Sequence, residues 1–308
     1  MNLDDVMQQV HAHPQKTIAV AAADNAKVIE GVKEALDCRL GSFRLYGEEE
    51  KIRRLLHDAG LNEYNHIKVI PTRDMEESAR LAVTAVRTGK ADILMKGMLP
   101  TSDLLKSVLN KEYGLRTNKT LSHVAMFEIP EYERFIFLTD SAMNIAPDLT
   151  KKADIIANAV HAARSMGFEH PKVAALAAVE VVNPDMQSTL DAAVLTAMNN
   201  RGQIKHCTVD GPLALDNAIS TEAAAYKGIQ GEVAGRADIL LVPTVEIGNT
   251  LYKSLVYFSK AKVGGIIAGA KAPIVLTSRA DSNKSKLYSI AMACHMIEFE
   301  QNIAAGGR

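Results

Sequence analysis

Short β-branched or aliphatic runs alternate with helix-patterned stretches along almost the whole chain, and that alternation restricts the fold more than any other feature. Residues 17–21, Thr-Ile-Ala-Val-Ala, read as a strand and 25–36 as a helix. A strand at 43–46 precedes a charged amphipathic helix at 48–59, and a strand at 67–70 precedes a helix at 74–88. In that last helix Met75, Ala79, Ala82, Val83 and Val86 fall on one face. A strand at 91–95 runs into Lys96-Gly97, and 101–109 has a helical pattern. Strands separated by helices of this length cannot pair as hairpins; they predict βα units on a mainly parallel sheet flanked by helices, an α/β fold.

The pattern changes between 121 and 139, where strand-like runs at 122–129 and 135–138 flank a polar Pro-Glu-Tyr-Glu segment. That reads as a hairpin or as two adjacent strands. The alternation then resumes: helix 148–166, strand 173–179, helix 186–199, strand 204–209, helix 220–226, strand 239–243, helix 249–259, strand 266–268. A length of 308 residues suits two domains. The change of pattern places their boundary near residue 140, with a second domain over 141–282.

Charge and cysteine usage exclude several classes of function. Apolar residues are 47% of the chain and charged residues 23%, the balance of a globular enzyme. A formal net charge of −1 offers no basic surplus for nucleic acid, so any anion site must come from local placement of Lys, Arg and helix ends. No apolar run approaches a membrane span, and the first thirty residues lack the order of a signal peptide. Cys38, Cys207 and Cys294 are odd in number and far apart, which argues against a disulfide framework or a structural zinc site and for a reducing, cytoplasmic compartment. No His pairing improves on His11-x-His13 in a polar amino-terminal helix, a solvated pair rather than a metal site.

The heaviest load of chemistry lies at 272–282. An apolar run ending at Leu276 delivers Thr277, Ser278, Arg279, Asp281 and Ser282 ahead of a helix-patterned stretch at 284–299. Hydroxyls, a guanidinium and a carboxylate at the carboxyl end of a buried strand are how open α/β sheets build active sites. Arg offers a planar fork suited to phosphate, and a carboxylate can accept a proton. The alternative reading is a plain loop whose Asp281 or Ser282 caps the next helix.

Other strand ends carry smaller loads. Lys96 and Gly97 precede Thr101 at a helix start, an anion site or an ordinary cap with a surface Lys. The loop at 114–119 presents Arg116 and Lys119, two phosphate-binding side chains or solvated ones. After the strand at 135–138 come Asp140, Ser141 and Asn144, the last a neutral donor suited to an oxyanion; Asp148 suits a helix first turn. Asp210 and Asp216 stand six apart around a Gly-Pro turn. Gly248-Asn249 marks a helix start where a ligand can approach the backbone and Asn249 can cap the helix or bind an oxygen, with Lys253 one turn on. The Gly-rich run at 263–270 is no dinucleotide fingerprint, and no Walker-type phosphate loop occurs.

Taken in order, Lys96-Gly97, Gly114-Leu-Arg-Thr117, Ser122-His-Val124, Phe137-Leu-Thr-Asp140, Asp210-Gly-Pro-Leu-Ala-Leu-Asp216, Gly231-Glu-Val-Ala-Gly235, Gly248-Asn249, Tyr252-Lys253 and the 272–282 string resemble the phosphate acetyl/butyryl transferase family, on its butyryltransferase side. The resemblance runs from about residue 17 to 295. It implies reversible transfer of a short acyl group, butyryl or branched-chain, between coenzyme A and inorganic phosphate, without metal or other cofactor. It also implies a two-domain fold of the isocitrate dehydrogenase type with the site in the interdomain cleft, a homodimer, and a final helix from about 283 that returns to the first domain, 1–140.

Under that resemblance Arg279 holds phosphate and steadies the oxyanion, Ser278 adds a hydrogen bond, and Asp281 is the nearest base. Lys96, Thr101, Arg116, Asn144, Asn249 and Lys253 bind coenzyme A or phosphate. Acyl-CoA, phosphate and acyl phosphate are then the partners. Acetyl-specific members carry Ser-Arg-Gly and a base further into the next helix; here Ala280 and Ser285 stand at those places, which leaves Asp210, Asp216 or solvent as alternative proton acceptors. Two other readings stand beside this one: a phosphate acetyltransferase, and a protein that binds acyl-CoA or acyl phosphate without turnover.

Overall fold

A computed structural model of the chain describes residues 2–61, 66–276 and 282–306. Its strands are β1 (Thr17–Ala21), β2 (Ser42–Gly47), β3 (Ile67–Pro71), β4 (Ile93–Lys96), β5 (Ser122–Glu128), β6 (Ile136–Thr139), β7 (Lys172–Leu176), β8 (Thr208–Leu213), β9 (Ile239–Leu241), β10 (Lys262–Ala268) and β11 (Ile274–Val275). Its longer helices are α1 (Leu3–Gln9), α2 (Ala26–Asp37), α3 (Glu49–Asp58), α4 (Met75–Arg87), α5 (Thr101–Val108), α6 (Leu149–Ser165) and α7 (Gln187–Asn200). Two short helices, α8 (Leu215–Ile219) and α9 (Thr221–Tyr226), precede α10 (Val245–Tyr257) and α11 (Asn283–Ala304). This is the α/β fold that the alternation predicts.

The chain divides into a first unit, Met1–Lys119 with Gly264–Arg308, and a second, Thr120–Val263. The breaks thus fall near 119 and 263 rather than near 140 and 282. The physical reason is pairing. β5 and β6 form an antiparallel hairpin in register Ala125↔Leu138, and β6 pairs with β9, so both belong with the second unit. β11 pairs with β4, which draws the segment before α11 into the first. No linker composition marks either break.

In the first unit the strand order is β3-β2-β1-β4-β11-β10, parallel except where β10 meets β11. Ile18, Val20, Leu45, Ile93 and Leu94 have no exposed surface, as expected for parallel strands covered on both faces. α11 closes this core. It is buried continuously from Leu287 to Ile297 because it packs against α1, α2 and β11. The Gly-rich run is β10. A Cβ at Gly264 would lie 2.9 Å from the Tyr288 backbone, so glycine there lets helix and strand touch. Polar groups on α11 find partners: His295 Nε2 lies 2.8 Å from the Val6 carbonyl, and the Tyr288 hydroxyl donates to Asp4 at 2.8 Å.

In the second unit the order is β5-β6-β9-β7-β8, with β6, β9, β7 and β8 parallel. Phe127, Leu138, Leu240, Val242 and Val263 are core members, and Leu251, Tyr252, Leu255 and Val256 of α10 pack on them. Gly211-Pro212 lies inside β8 rather than in a turn; Pro, which lacks an N–H, is tolerated there because β8 ends the order.

At the carboxyl ends of β7 and β9, Leu176, Leu241, Val242 and Pro243 line a small cleft with Lys152 and Asp191. Lys152 Nζ donates to Asp191 Oδ2 at 2.6 Å, and Gln187 donates to the other oxygen at 2.8 Å. Both charged side chains are nearly enclosed, at 6% and 11% exposure. Removing one partner of such a pair strands a charge away from water, whereas replacing both removes the need for pairing. Asp191→Leu is therefore expected to lower unfolding free energy by about 3–5 kcal/mol, and Lys152→Met with Asp191→Leu to recover most of that loss. Urea denaturation of the two variants measures both.

Candidate active site

Parallel strands finish together, so the loops after them share one edge of each sheet. In the first unit that edge is made by β1, β4 and β11. Gly97 N donates to the Ala21 carbonyl and Met98 N to Ala22, both at 2.8 Å, and a Cβ at Gly97 would come within 2.2 Å of the Ala22 oxygen. The tight return after β4 therefore requires glycine. Lys96 Nζ donates to the carbonyls of Gly97 and Leu99 at 3.2 and 3.3 Å, so the ammonium braces this return. Thr101 is exposed at the first position of α5, and its predecessor Pro100 makes no side-chain cap. Asp103 occupies the same first turn and already complements the helix dipole.

β11 pairs with β4 in the register Ile274↔Leu94 and Val275↔Met95, so the next residue, Leu276, comes level with Lys96. Ser278, Arg279 and Asp281 lie outside the described residues. The chain resumes at Ser282, whose Oγ accepts from Ser285 N at 3.1 Å and lies 3.0 Å from Ser285 Oγ. Ser282 is thus the cap of α11, and the capping role that Asp281 shared in the sequence reading is filled.

The loop carrying Arg116 is tied at its backbone from both sides. Leu115 N donates to Val108 at 2.7 Å, Lys271 N to Leu115 at 2.9 Å and Arg87 to the Gly114 carbonyl at 2.9 Å. Thr117 Oγ1 donates to Gly269. Arg116 itself is exposed on this tethered loop, within the first unit and next to the segment that leads into β11.

In the second unit the edge is built around Asp140. Its carboxylate accepts the N–H groups of Ala142, Met143 and Asn144 at 3.0–3.1 Å and the Asn144 Nδ2 at 2.6 Å. Asn144 Nδ2 also donates to Leu121 O at 2.8 Å. Both its amide protons are therefore committed, so Asn144 is not the free oxyanion donor that its position suggested; it braces the loop. α10 begins at Val245, a full turn before Asn249, so Asn249 does not cap it. Gly248 is packed rather than open: a Cβ there would lie 2.7 Å from Asp140 O and 2.8 Å from Ser141 Cα. Asn249 Nδ2 reaches Ser141 O at 3.5 Å, and Lys253 is exposed one turn along. Asn144 and Asn249 thus converge on the same short segment, 140–141.

That segment also binds a residue that the sequence reading quoted in the Ser122-His-Val124 string but gave no role. His123 Nδ1 lies 2.8 Å from Ser141 Oγ, and Thr139 Oγ1 donates to the His123 carbonyl at 2.8 Å. Burial holds the imidazole pKa below its usual value, against the opposing pull of the Asp140 charge, so the ring is neutral. The signal was present: a histidine next to the apolar run 124–127, on the face of Ala125 and Phe127.

The other acids and thiols have structural partners or surroundings. Asp216 is an exposed member of a cluster with Lys227 at 3.4 Å, and Lys227 reaches Glu180 at 2.7 Å. Asp210 Oδ1 accepts from Gly211 N at 2.8 Å. Burial pushes the Cys207 thiol up to about 11 and that of Cys294 to about 12, leaving both protonated and inert. Among the described residues no cluster of His, Cys, Asp and Glu could hold a metal ion, and no helix is long and apolar enough to cross a membrane.

Residues 65–294 match the phosphate acetyl/butaryl transferase family, a span that includes every candidate site residue. The chain is 55% identical over 293 residues to the probable phosphate butyryltransferase of Bacillus subtilis, covering 95% of this chain and 97% of that one. It is 50% identical to the phosphate acetyltransferase of Thermotoga maritima, covering 90% and 94%. The crystal structure of a branched-chain phosphotransacylase from Enterococcus faecalis superposes with a TM-score of 0.81 at 41% identity, over 92% of this chain and 99% of that one. The chain belongs to the phosphate acetyl/butyryl transferase family.

Proposed function

We propose that this protein transfers a short acyl group, butyryl or branched-chain, reversibly between coenzyme A and inorganic phosphate. The observation that carries this reading is the family match across 65–294 together with 55% identity to a relative named for butyryl transfer. In the direction of acyl phosphate, a phosphate oxygen attacks the thioester carbonyl carbon. A C–O bond forms, the tetrahedral oxyanion collapses, the C–S bond breaks, and the thiolate takes a proton. Both substrates are bound at once and no acyl-enzyme forms; the buried, protonated Cys207 and Cys294 are in keeping with that.

Arg279 holds phosphate and stabilises the oxyanion, since its charge is fixed and its donors planar. Ser278 donates a further hydrogen bond. Asp281 takes the thiol proton when acyl-CoA is formed and returns it in reverse. The cap of α11 is Ser282, the other reading that the sequence offered for this end of the string. Arg116 and Lys253, both exposed, supply charge for the anionic groups of coenzyme A and phosphate. Lys96 and Asn144 shape the loops that present those groups, and Thr101 and Asn249 contribute polar contacts. Coenzyme A enters as substrate, with no metal or other cofactor. The active enzyme is a homodimer in the cytoplasm, a compartment that suits three scattered free thiols.

Free-thiol release from butyryl-CoA, with and without phosphate, tests the reaction. Release that requires phosphate and favours butyryl-CoA over acetyl-CoA is expected. Preference for acetyl-CoA would keep the chemistry and change the substrate, and a single methylene in an apolar pocket is worth only about 1–3 kcal/mol. Replacing Arg279 by Ala should lower kcat/KM by roughly 100- to 1,000-fold, the scale of one lost oxyanion donor, with little change in coenzyme A affinity. A protein that binds acyl-CoA without turnover would show no phosphate-dependent release in the parent and a loss of affinity in the variant.

A further inference from the structure

His123 is a buried polar residue to which the reaction above assigns no role. It is the second residue of β5, on the face that carries Ala125 and Phe127, with its ring centre 5.9 Å from that of Tyr252 in α10. Two bonds tie it to the turn after β6, one through its carbonyl to Thr139 Oγ1 and one through Nδ1 to Ser141 Oγ. A single residue of the neighbouring strand therefore holds both flanks of Asp140. Ser141 is only 2% exposed and its hydroxyl has no water to fall back on. α10 rests on that same residue, with Gly248 pressed against Ser141 Cα and Asn249 Nδ2 directed at Ser141 O.

We propose that His123 is a positioning residue for substrate binding, acting through Ser141 to set the place of Asn249 at the edge of the second unit. The proposal rests on the reading of Asn249 as a residue that contacts coenzyme A or phosphate. Its physical basis is a chain of three contacts in a close-packed region. Without the imidazole, a buried hydroxyl loses its partner, and the turn relaxes to find another. Because Gly248 and Ser141 touch with no spare space, a shift of that turn carries the start of α10 with it. A neutral ring serves this role in either tautomer, since one partner of the Nδ1–Oγ bond can always donate.

The test compares steady-state kinetics, with phosphate and acyl-CoA each varied, for the parent and for Asn249→Ala, Ser141→Ala, His123→Leu, His123→Asn and the Ser141→Ala/His123→Leu double variant. Melting temperature is followed throughout. Asn249→Ala is expected to raise the KM of one substrate. Ser141→Ala and His123→Leu should each raise that same KM by about tenfold, the worth of one buried hydrogen bond, with a smaller change in kcat. The double variant should be no worse than either single change, because both remove one interaction. His123→Asn, whose side-chain nitrogen stands near the place of Nδ1, should recover most of the loss.

An additive double variant, or no recovery by Asn, would overturn the route through Ser141. A raised KM in Asn249→Ala with none in Ser141→Ala would overturn the positioning role while leaving Asn249 as a binding residue. An unchanged KM in Asn249→Ala would remove that endpoint and the proposal with it. Absence of phosphate-dependent acyl transfer in the parent would instead defeat the functional reading itself. Should His123→Leu fail to fold, the Ser141→Ala result and the KM of His123→Asn, expected close to the parent's, still decide the matter.

Discussion

Each unit depends on the parallel ladder. In a parallel sheet every strand runs the same way, so every departing loop leaves from the same edge, and chemistry can accumulate there without disturbing the core. The first unit gathers the returns after β1 and β4 in this way, and the second those after β6, β7 and β9. The cost of such an edge is a row of backbone groups that the ladder no longer pairs. Both units meet that cost with side chains. Lys96 serves the carbonyls after β4, and Asp140 gathers three N–H groups after β6.

That accounting changes how the polar residues of the two edges are to be understood. Asn144, Asp140 and Lys96 have chemistry suited to a substrate, yet the structure engages them in holding loops. Among the exposed groups are two long cations, Arg116 on a tethered loop and Lys253 on α10. A charged side chain on a rigid base can select an anion by position, while one on a loose loop attracts anions with little selectivity. The division of labour is therefore between residues that shape an edge and residues that face outward from it.

Much of this was legible beforehand. The α/β class, the two strand runs at 122–138 and most of the helices follow from hydrophobic periodicity, which burial enforces residue by residue. What periodicity cannot convey is contact between distant segments. Gly248-Asn249 reads as a helix start by composition, whereas Gly248 is interior to α10 because the backbone at 140–141 passes against it. Gly211-Pro212 reads as a turn, and only the end position of β8 explains a proline inside a strand. The boundary near 140 missed because strand pairing, not composition, assigns β5 and β6 to the second unit. Lys152 and Asp191, thirty-nine residues apart, carry no mark in sequence of the pair they form.

One terminal strand of each order, β8 and β3, shares a trait whose effect lies outside the molecule. β8 contains Pro212, and β3 ends in Pro71 and exposes Lys68. An open strand edge is a template on which a second chain can lengthen the sheet, and proline or an outward lysine spoils that template. Copies of this protein are thus discouraged from joining strand to strand. At those two edges any joining of copies would have to rely on side chains rather than on a lengthened ladder.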